Sequence, residues 1–240
     1  MSRIIQAWSA THPGAVRTQN QDACLCRPEI GLFAVADGVG GHSGGEVASN
    51  HVAAMLSRIP GSLSPASRLA AVRAGLQQTH EWLLQTPATT GPGAAPATTI
   101  VVLMLHEGHF ACLWAGDSRA YLLRDGQLCR LTTDHSVVQD LVTAGAITET
   151  EAEHDPRQHV ITRAVGAGQP NLLIEKAVGE VLPEDRFLLC SDGLYKTLEA
   201  KTITEVLMQT EVAGNAAERL VNAALENRAR DNVTAVVAVP

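Results

Sequence analysis

The stretch Thr98-Thr-Ile-Val-Val-Leu-Met-Leu-His106-Glu-Gly-His109-Phe-Ala-Cys-Leu-Trp-Ala115-Gly-Asp-Ser-Arg-Ala120-Tyr-Leu-Leu-Arg124-Asp-Gly-Gln127-Leu-Cys-Arg-Leu131 decides the fold class. It divides into four strand-like runs, 98–106, 109–115, 120–124 and 127–131. Glu107-Gly108 and Asp125-Gly126 separate the outer pairs, and Asp-Gly between two apolar runs is a strong hairpin signal. Working outward, 32–36 reads as a buried strand. A helix is expected over 45–58, with Val47, Ala48, His51, Val52, Met55 and Leu56 on one stripe. Ser64-Pro65 supplies a cap and first position for a second helix reaching about Leu84. The stretch 86–97 holds Pro87, Gly91, Pro92, Gly93 and Pro96 and reads as a loop. Beyond the meander, 137–144 looks helical, 145–173 irregular, 187–190 a strand, 202–209 and 215–228 helical, and 232–239 a final strand. Antiparallel hairpins with helices clustered between them predict an α+β fold in one domain, 1–240.

The composition narrows the function. The chain has 240 residues, 18 Lys+Arg against 25 Asp+Glu, and only three Phe, two Tyr and three Trp, so Ala, Val, Leu and Ile build the core. An acidic chain with no Lys/Arg cluster does not predict a nucleic-acid partner. The longest unbroken apolar run, 100–105, is far short of the ~20 residues of a membrane helix. The start of the chain lacks a signal-peptide core and neither end carries a lipidation pattern, so no membrane partner is expected. Five cysteines (Cys24, Cys26, Cys112, Cys129, Cys190) suit reduced, buried thiols and a cytoplasmic location. None has Arg six positions on, as a cysteine-nucleophile phosphatase needs.

Acidic residues stand at strand ends or tight turns: Asp22, Asp37, Asp117, Asp192 and Asp231. A carboxylate at the end of a buried strand is partly desolvated and needs a counter-charge. Several at one rim of a sheet would form a single acidic pocket, and oxygen-only ligands select a hard divalent cation. The competing reading is turn chemistry, since Asp-Gly and Asp-Asn favour tight turns anyway. The densest signal is Asp37-Gly38-Val-Gly-Gly-His42-Ser-Gly-Gly-Glu46, whose glycines let backbone approach an ion or phosphate. It is neither a dinucleotide fingerprint nor a Walker loop. His42 is either a proton donor or a polar turn residue. Arg17 is either a surface arginine or a two-pronged grip for phosphate oxygens. The adjacent pairs Asp134-His135 and His154-Asp155 have no supporting histidines.

In order along the chain stand Arg17-Thr-Gln-Asn20-Gln-Asp22, Asp37-Gly38-Val-Gly-Gly-His42-x-x-Gly-Glu46 and Thr98-Thr99. Gly116-Asp117-Ser118-Arg119, Leu131-Thr-Thr-Asp134-His135-Ser136 and Ile161-Thr-Arg-Ala-Val-Gly166 follow. Cys190-Ser-Asp192-Gly193 and Asp231-Asn232-Val-Thr234 close the set. This ordered set resembles the bacterial metal-dependent Ser/Thr protein phosphatases of the PPM, or type 2C, family. The resemblance implies a four-layer α/β/β/α sandwich of two antiparallel sheets flanked by helices. It implies that Asp37 bridges two Mn²⁺ or Mg²⁺ ions, that Gly38 lends a carbonyl to the second, and that Asp192 and Asp231 complete the first ion's ligands. Asp117 with Asp192 would form a weaker third site, Asp22 would hold metal-bound water, Arg17 would grip the phosphate, and 140–170 would form a flap. Hydroxide shared by the two ions would then attack phosphorus in line, without a covalent intermediate, and His42 would protonate the leaving oxygen. Gln21 stands where many relatives have Glu, removing one charge near the second ion, and Ala97 where relatives often have Gly.

The implied substrates are phosphoserine and phosphothreonine proteins, opposing a partner Ser/Thr kinase that by analogy could control a secretion system. Two alternatives stand beside this: an inactive phosphoprotein-binding regulator on the same fold, and a phosphatase acting on a phosphorylated regulator in a partner-switching circuit.

Overall fold

A computed structural model describes residues 5–39, 44–87, 95–209 and 216–240. Its first half runs β1 (Gln6–His12), β2 (Asp22–Arg27), β3 (Leu32–Val39), α1 (Gly44–Ser57), α2 (Pro65–Gln85), β4 (Ala97–Thr98), β5 (Ile100–His106) and β6 (His109–Ala115). The second half continues β7 (Arg119–Arg124), β8 (Gln127–Arg130), α3 (Val137–Thr143), α4 (Glu149–Ala152), β9 (Glu175–Glu180) and β10 (Arg186–Cys190). It ends with α5 (Asp192–Tyr195), α6 (Ala200–Met208), α7 (Ala216–Glu226) and β11 (Val233–Val239).

Two sheets result, ordered β1-β11-β10-β7-β8 and β2-β3-β5-β6-β9, with β4 added beside β3. Every pairing is antiparallel. Their period-two alternation explains why the central strands are apolar throughout. Phe33, Val35, Leu103 and Cys112 from one sheet meet Leu122, Phe187, Leu189 and Val236 from the other. Phe110 and Phe187 meet edge to face across that layer, 5.3 Å between ring centres. The alternate residues face outward but remain covered: Leu32, Ala34, Val102 and Met104 by α1 and α2, and Leu188, Cys190, Ala235 and Val237 by α5, α6 and α7. Each fully buried Leu or Val side chain contributes about 1.5–3 kcal/mol relative to exposure. The α+β class and the four-layer sandwich are both present.

The local signals work as expected at several places. Asp125 and Gly126 both have positive φ, 52° and 74°, the conformation of a tight primed hairpin turn. Ser64 caps α2 by accepting from the Ser67 N–H at 3.2 Å, with Pro65 at the first helical position.

Four differences have physical causes. The run over 98–106 is broken at Thr99, which bonds the Asp37 backbone instead of continuing a ladder. The buried face of α1 carries Gly45, Ala48, Ser49, Val52 and Leu56, while Val47 is exposed and His51 stacks on Trp82 at 4.1 Å. The irregular stretch after residue 145 contains the short α4, fixed by reciprocal bonds between Thr148 and Glu151. Cys129 lies exposed on an edge strand, unlike the buried Cys112 and Cys190.

Among the described residues no helix is long and apolar enough to cross a membrane.

Candidate active site

The strand-end aspartates converge because the two sheets bring their ends to one side. Asp22 and Asp37 are directly opposed across the β2–β3 ladder. Asp117 follows β6, Asp192 follows β10 and Asp231 precedes β11. Asp37, Gly38, Asp117, Asp192, Asp231 and Arg17 line one cleft of about 890 Å³. Asp22 lies just behind it, buried.

The backbone around Asp37 is clamped from both sides. Its N–H donates to Thr99 Oγ1 at 3.1 Å, and its carbonyl accepts from the Thr99 N–H at 2.8 Å and from Thr98 Oγ1 at 2.9 Å. Thr99 Oγ1 is in turn 2.6 Å from Ser118 Oγ, next to Asp117. Gly38 is glycine by necessity: a Cβ there would lie 2.5 Å from the Gly45 carbonyl and 2.6 Å from that of Gln21. The start of α1 can therefore press against the metal-loop backbone. At Gly193 the constraint is tighter, since a Cβ would sit 2.0 Å from the Asn232 carbonyl oxygen. That contact sets Asp192 beside the start of β11.

Asn232, which the sequence reading quoted in a motif without a role, is the staple of the site. Its Oδ1 accepts from the Gln21 N–H at 2.8 Å, and its Nδ2 donates to the carbonyls of Pro13 at 3.0 Å and Gln19 at 2.9 Å. The loop bearing Arg17 is thereby tied to the segment bearing Asp231, just before β11. The only sequence signal for this was a buried-type Asn beside a strand, which gives no hint of its long-range partners.

The electrostatics are strained. Burial pushes the Asp37 carboxyl well above its ordinary value, and Asp22, Asp192, Asp117 and Asp231 add repulsion. Burial also raises Asp22 to about 7, opposed by hydroxyl bonds to its Oδ2 from Thr234 at 2.6 Å and Ser191 at 2.7 Å. Its Oδ1 is buried without a partner among the described residues. Asp117 is raised to about 6 by burial and by Asp192, with Lys196 opposing. Asp231 and Asp192 accept hydrogen bonds from cations, and Asp117 stands 3.7 Å from the Lys196 ammonium. Arg17 grips Asp231 with both prongs, Nε to Oδ1 at 3.0 Å and Nη2 to Oδ2 at 2.9 Å. Lys196 donates to Asp192 Oδ2 at 2.7 Å. Among the described residues Asp37 makes no ion pair.

This donor set fits hard divalent cations. It consists of carboxylate oxygens, one of them buried and unpartnered among the described residues, around an Asp37 that makes no ion pair among them. As the side chains stand, no three His, Cys, Asp or Glu among the described residues are gathered tightly enough to hold one ion. Arg17 and Lys196 explain why, because they draw Asp231 and Asp192 towards themselves.

The remaining expectations fall as follows. His42 lies outside the described residues. In the 140–170 segment, His159 and Ile161 reach the cleft rim, held by Ser136–Ile161 and Thr98–Val165 bridges. The two adjacent His/Asp pairs are structural. His135 is buried, its Nδ1 accepting from the Gly116 N–H at 3.1 Å and its Nε2 lying 3.1 Å from Glu175. Asp155 takes both prongs of Arg157. Cys24 and Cys26 pack at the edge of the inter-sheet core.

The chain matches the Protein phosphatase 2C family model over residues 14–228. It is similar to PstP, a serine/threonine protein phosphatase of Mycobacterium tuberculosis, at 40% identity over 231 residues. That alignment covers 94% of this chain and 43% of PstP, so the chain spans under half the length of that relative. Among solved structures it is similar to PppA of Pseudomonas aeruginosa, described as a key regulatory component of T6SS. The TM-score is 0.88 at 38% identity, covering 99% of this chain and 98% of the other. It is similar too to the PstP catalytic domain in complex with two manganese ions, with a TM-score of 0.83 at 35% identity over 98% and 97% of the two chains. The shared fold, the converging aspartates and the match over most of the length lead to one conclusion: the chain belongs to the protein phosphatase 2C family.

Proposed function

We propose that this chain is a metal-dependent protein phosphatase that hydrolyses phosphoserine and phosphothreonine, its catalytic domain spanning 1–240. The observation that carries the reading is Asp37, faced by Asp117, Asp192 and Asp231 in one cleft, with Asp22 behind it and Arg17 on its rim. Asp37, the Gly38 carbonyl, Asp192 and Asp231 would hold two ions, Mn²⁺ or Mg²⁺, and the PstP complex with two manganese ions supports that number. Bound there, the ions supply activation of water and positive charge against the phosphoryl oxygens.

The chain's own residues do the rest. On this reading phosphorus passes to water directly: a P–O bond to water forms as the P–O bond to the seryl or threonyl oxygen breaks. The unpartnered Asp22 Oδ1 is an acceptor for an ordered water behind the ligands. Arg17 exchanges Asp231 for two phosphate oxygens, a geometry its planar fork matches. His42 is the candidate donor to the leaving oxygen, a step worth roughly 10²–10⁴-fold.

The kinds of partner follow from the chemistry: phosphoproteins, with a Ser/Thr kinase that phosphorylates them. The likeness to PppA supports a role in T6SS regulation. Five free cysteines support a reducing, cytoplasmic setting.

The test is hydrolysis of an aryl phosphate and a phosphothreonine peptide by chelated protein. Mn²⁺ is then restored, with Asp192→Asn in parallel. Recovery in the wild type and silence in the variant are expected; an inactive wild type with every metal that still binds a phosphoprotein would leave the inactive-regulator alternative.

A further inference from the structure

The third ion position implied by the family resemblance, between Asp117 and Asp192, is approached by a side chain of this protein. Lys196 lies one helical turn beyond Asp192, its N–H bonded to the Asp192 carbonyl at 2.9 Å. That turn brings its ammonium back over the two carboxylates. Nζ donates to Asp192 Oδ2 at 2.7 Å and stands 3.7 Å from Asp117 Oδ2 and 3.4 Å from His159 Nδ1. The ammonium thus makes one hydrogen bond and one ion pair to the two carboxylates, with the His159 ring beside it. The Lys196 side chain is 26% exposed and that of Asp117 8%, so the contact is only partly screened by water.

We propose that Lys196 is a built-in counter-cation for the Asp117–Asp192 pair, closing the third ion position so that this chain takes two divalent ions and not three. The inference rests on reading the cleft as a metal centre. An ion coordinated between these carboxylates needs oxygens at about 2.0–2.2 Å, which would place it against Nζ. The two positive charges then compete for the same oxygens. An ammonium is tethered and cannot be diluted away, whereas a third ion would come and go with its concentration. Lys196 also reaches the 140–170 segment through His159, so the same side chain spans Asp192, Asp117 and the cleft rim.

The test counts bound Mn²⁺ on chelated and reloaded protein, by equilibrium dialysis with electron paramagnetic resonance of the free ion, up to millimolar Mn²⁺. Wild type and Asp117→Asn should each bind two ions, because Asp117 serves no ion while Lys196 is present. Lys196→Met should bind three, the third at least tenfold tighter than any third ion of the wild type. Lys196→Met/Asp117→Asn should return to two. Lys196→Gln repeats the measurement should the Met variant fail to fold, as judged by circular dichroism. Three ions on the wild type with one lost in Asp117→Asn would overturn the proposal while leaving the metal centre intact, as would two ions on both Lys196 variants. No ion on the wild type would overturn the metal reading and the proposal together.

Discussion

Asp185 and Asp37 are both carboxylates in the interior of this sandwich, and the protein treats them in opposite ways. Asp185 is 1% exposed and fully answered: Arg124 donates to Oδ1 at 2.8 Å and Oδ2 at 2.7 Å, and the Leu182 N–H donates to Oδ2 at 2.7 Å. Asp134 is held likewise by Arg119, at 3.0 Å and 2.6 Å. Around Asp37, four further carboxylates gather and no cation makes contact among the described residues. A chain that can place an arginine fork on a structural aspartate has left its cleft under-neutralised. Charge deficit, more than burial, separates the candidate site's Asp37 from the structural Asp185.

The comparison can be broken most directly at Asp37. Asp37→Asn should lower Mn²⁺-dependent turnover by about 10³-fold or more, comparable with loss of a principal transition-state contact. The same change should raise the Tm of chelated protein by about 2–4 °C, since relief of repulsion worth about 1 kcal/mol moves a domain of this size by that much. Scanning calorimetry in chelator checks the second half. A fall in Tm would mean that Asp37 is structurally satisfied after all.

Asp185→Ala should do the reverse. It strands Arg124, and because that guanidinium is 31% exposed the cost is discounted to about 2 kcal/mol from the 3–5 of a deeply buried pair. Urea unfolding should show that loss while kcat stays within about twofold of wild type.

The pH dependence sharpens the contrast. Asp22 stands at about 7 and Asp117 at about 6 in the folded chain, against an ordinary value of 3.8. Between the ordinary and raised values the folded chain keeps protons that the unfolded chain has released, so stability falls as pH rises. Chelated protein should thus melt several degrees higher at pH 5 than at pH 8. Asp22→Asn should flatten that slope, and a wild-type slope of the opposite sign would rule out the raised carboxyls.

The smallest effect is expected at Thr99, whose hydroxyl accepts from the Asp37 N–H. Thr99→Val should cost about tenfold in kcat with little change in KM, measured on the aryl phosphate, in line with other outer-layer supports of metal ligands.

Much of this was legible in the sequence, for definite reasons. The apolar runs of β5, β6, β7 and β10 stand out because both faces of each sheet are covered. The aspartates stand out because each is tied to a strand end. By contrast β9, Glu-Lys-Ala-Val-Gly-Glu, is a polar edge strand with Val178 63% exposed, and it offers no apolar run to find. The stripe of α1 was misplaced because Ser49 is buried and bonded to the Glu46 carbonyl, so polarity there does not signal exposure. Lys196 and Asn232 escaped notice for a third reason. Their roles depend on partners brought close only by folding: Asp117 and His159 for one, Pro13, Gln19 and Gln21 for the other.

The Asn232 staple joins positions 211 residues apart, and β1 pairs with β11 along its whole length. Arg17, Asp22 and Asp37 therefore stand far in sequence from Asp231 and from β11, which follows it, and the candidate cleft needs both groups together. Such long-range closure is slow in folding terms. It also means that a fragment ending before Asp231 would lack one wall of the candidate cleft, the Asn232 staple and the partner strand of β1.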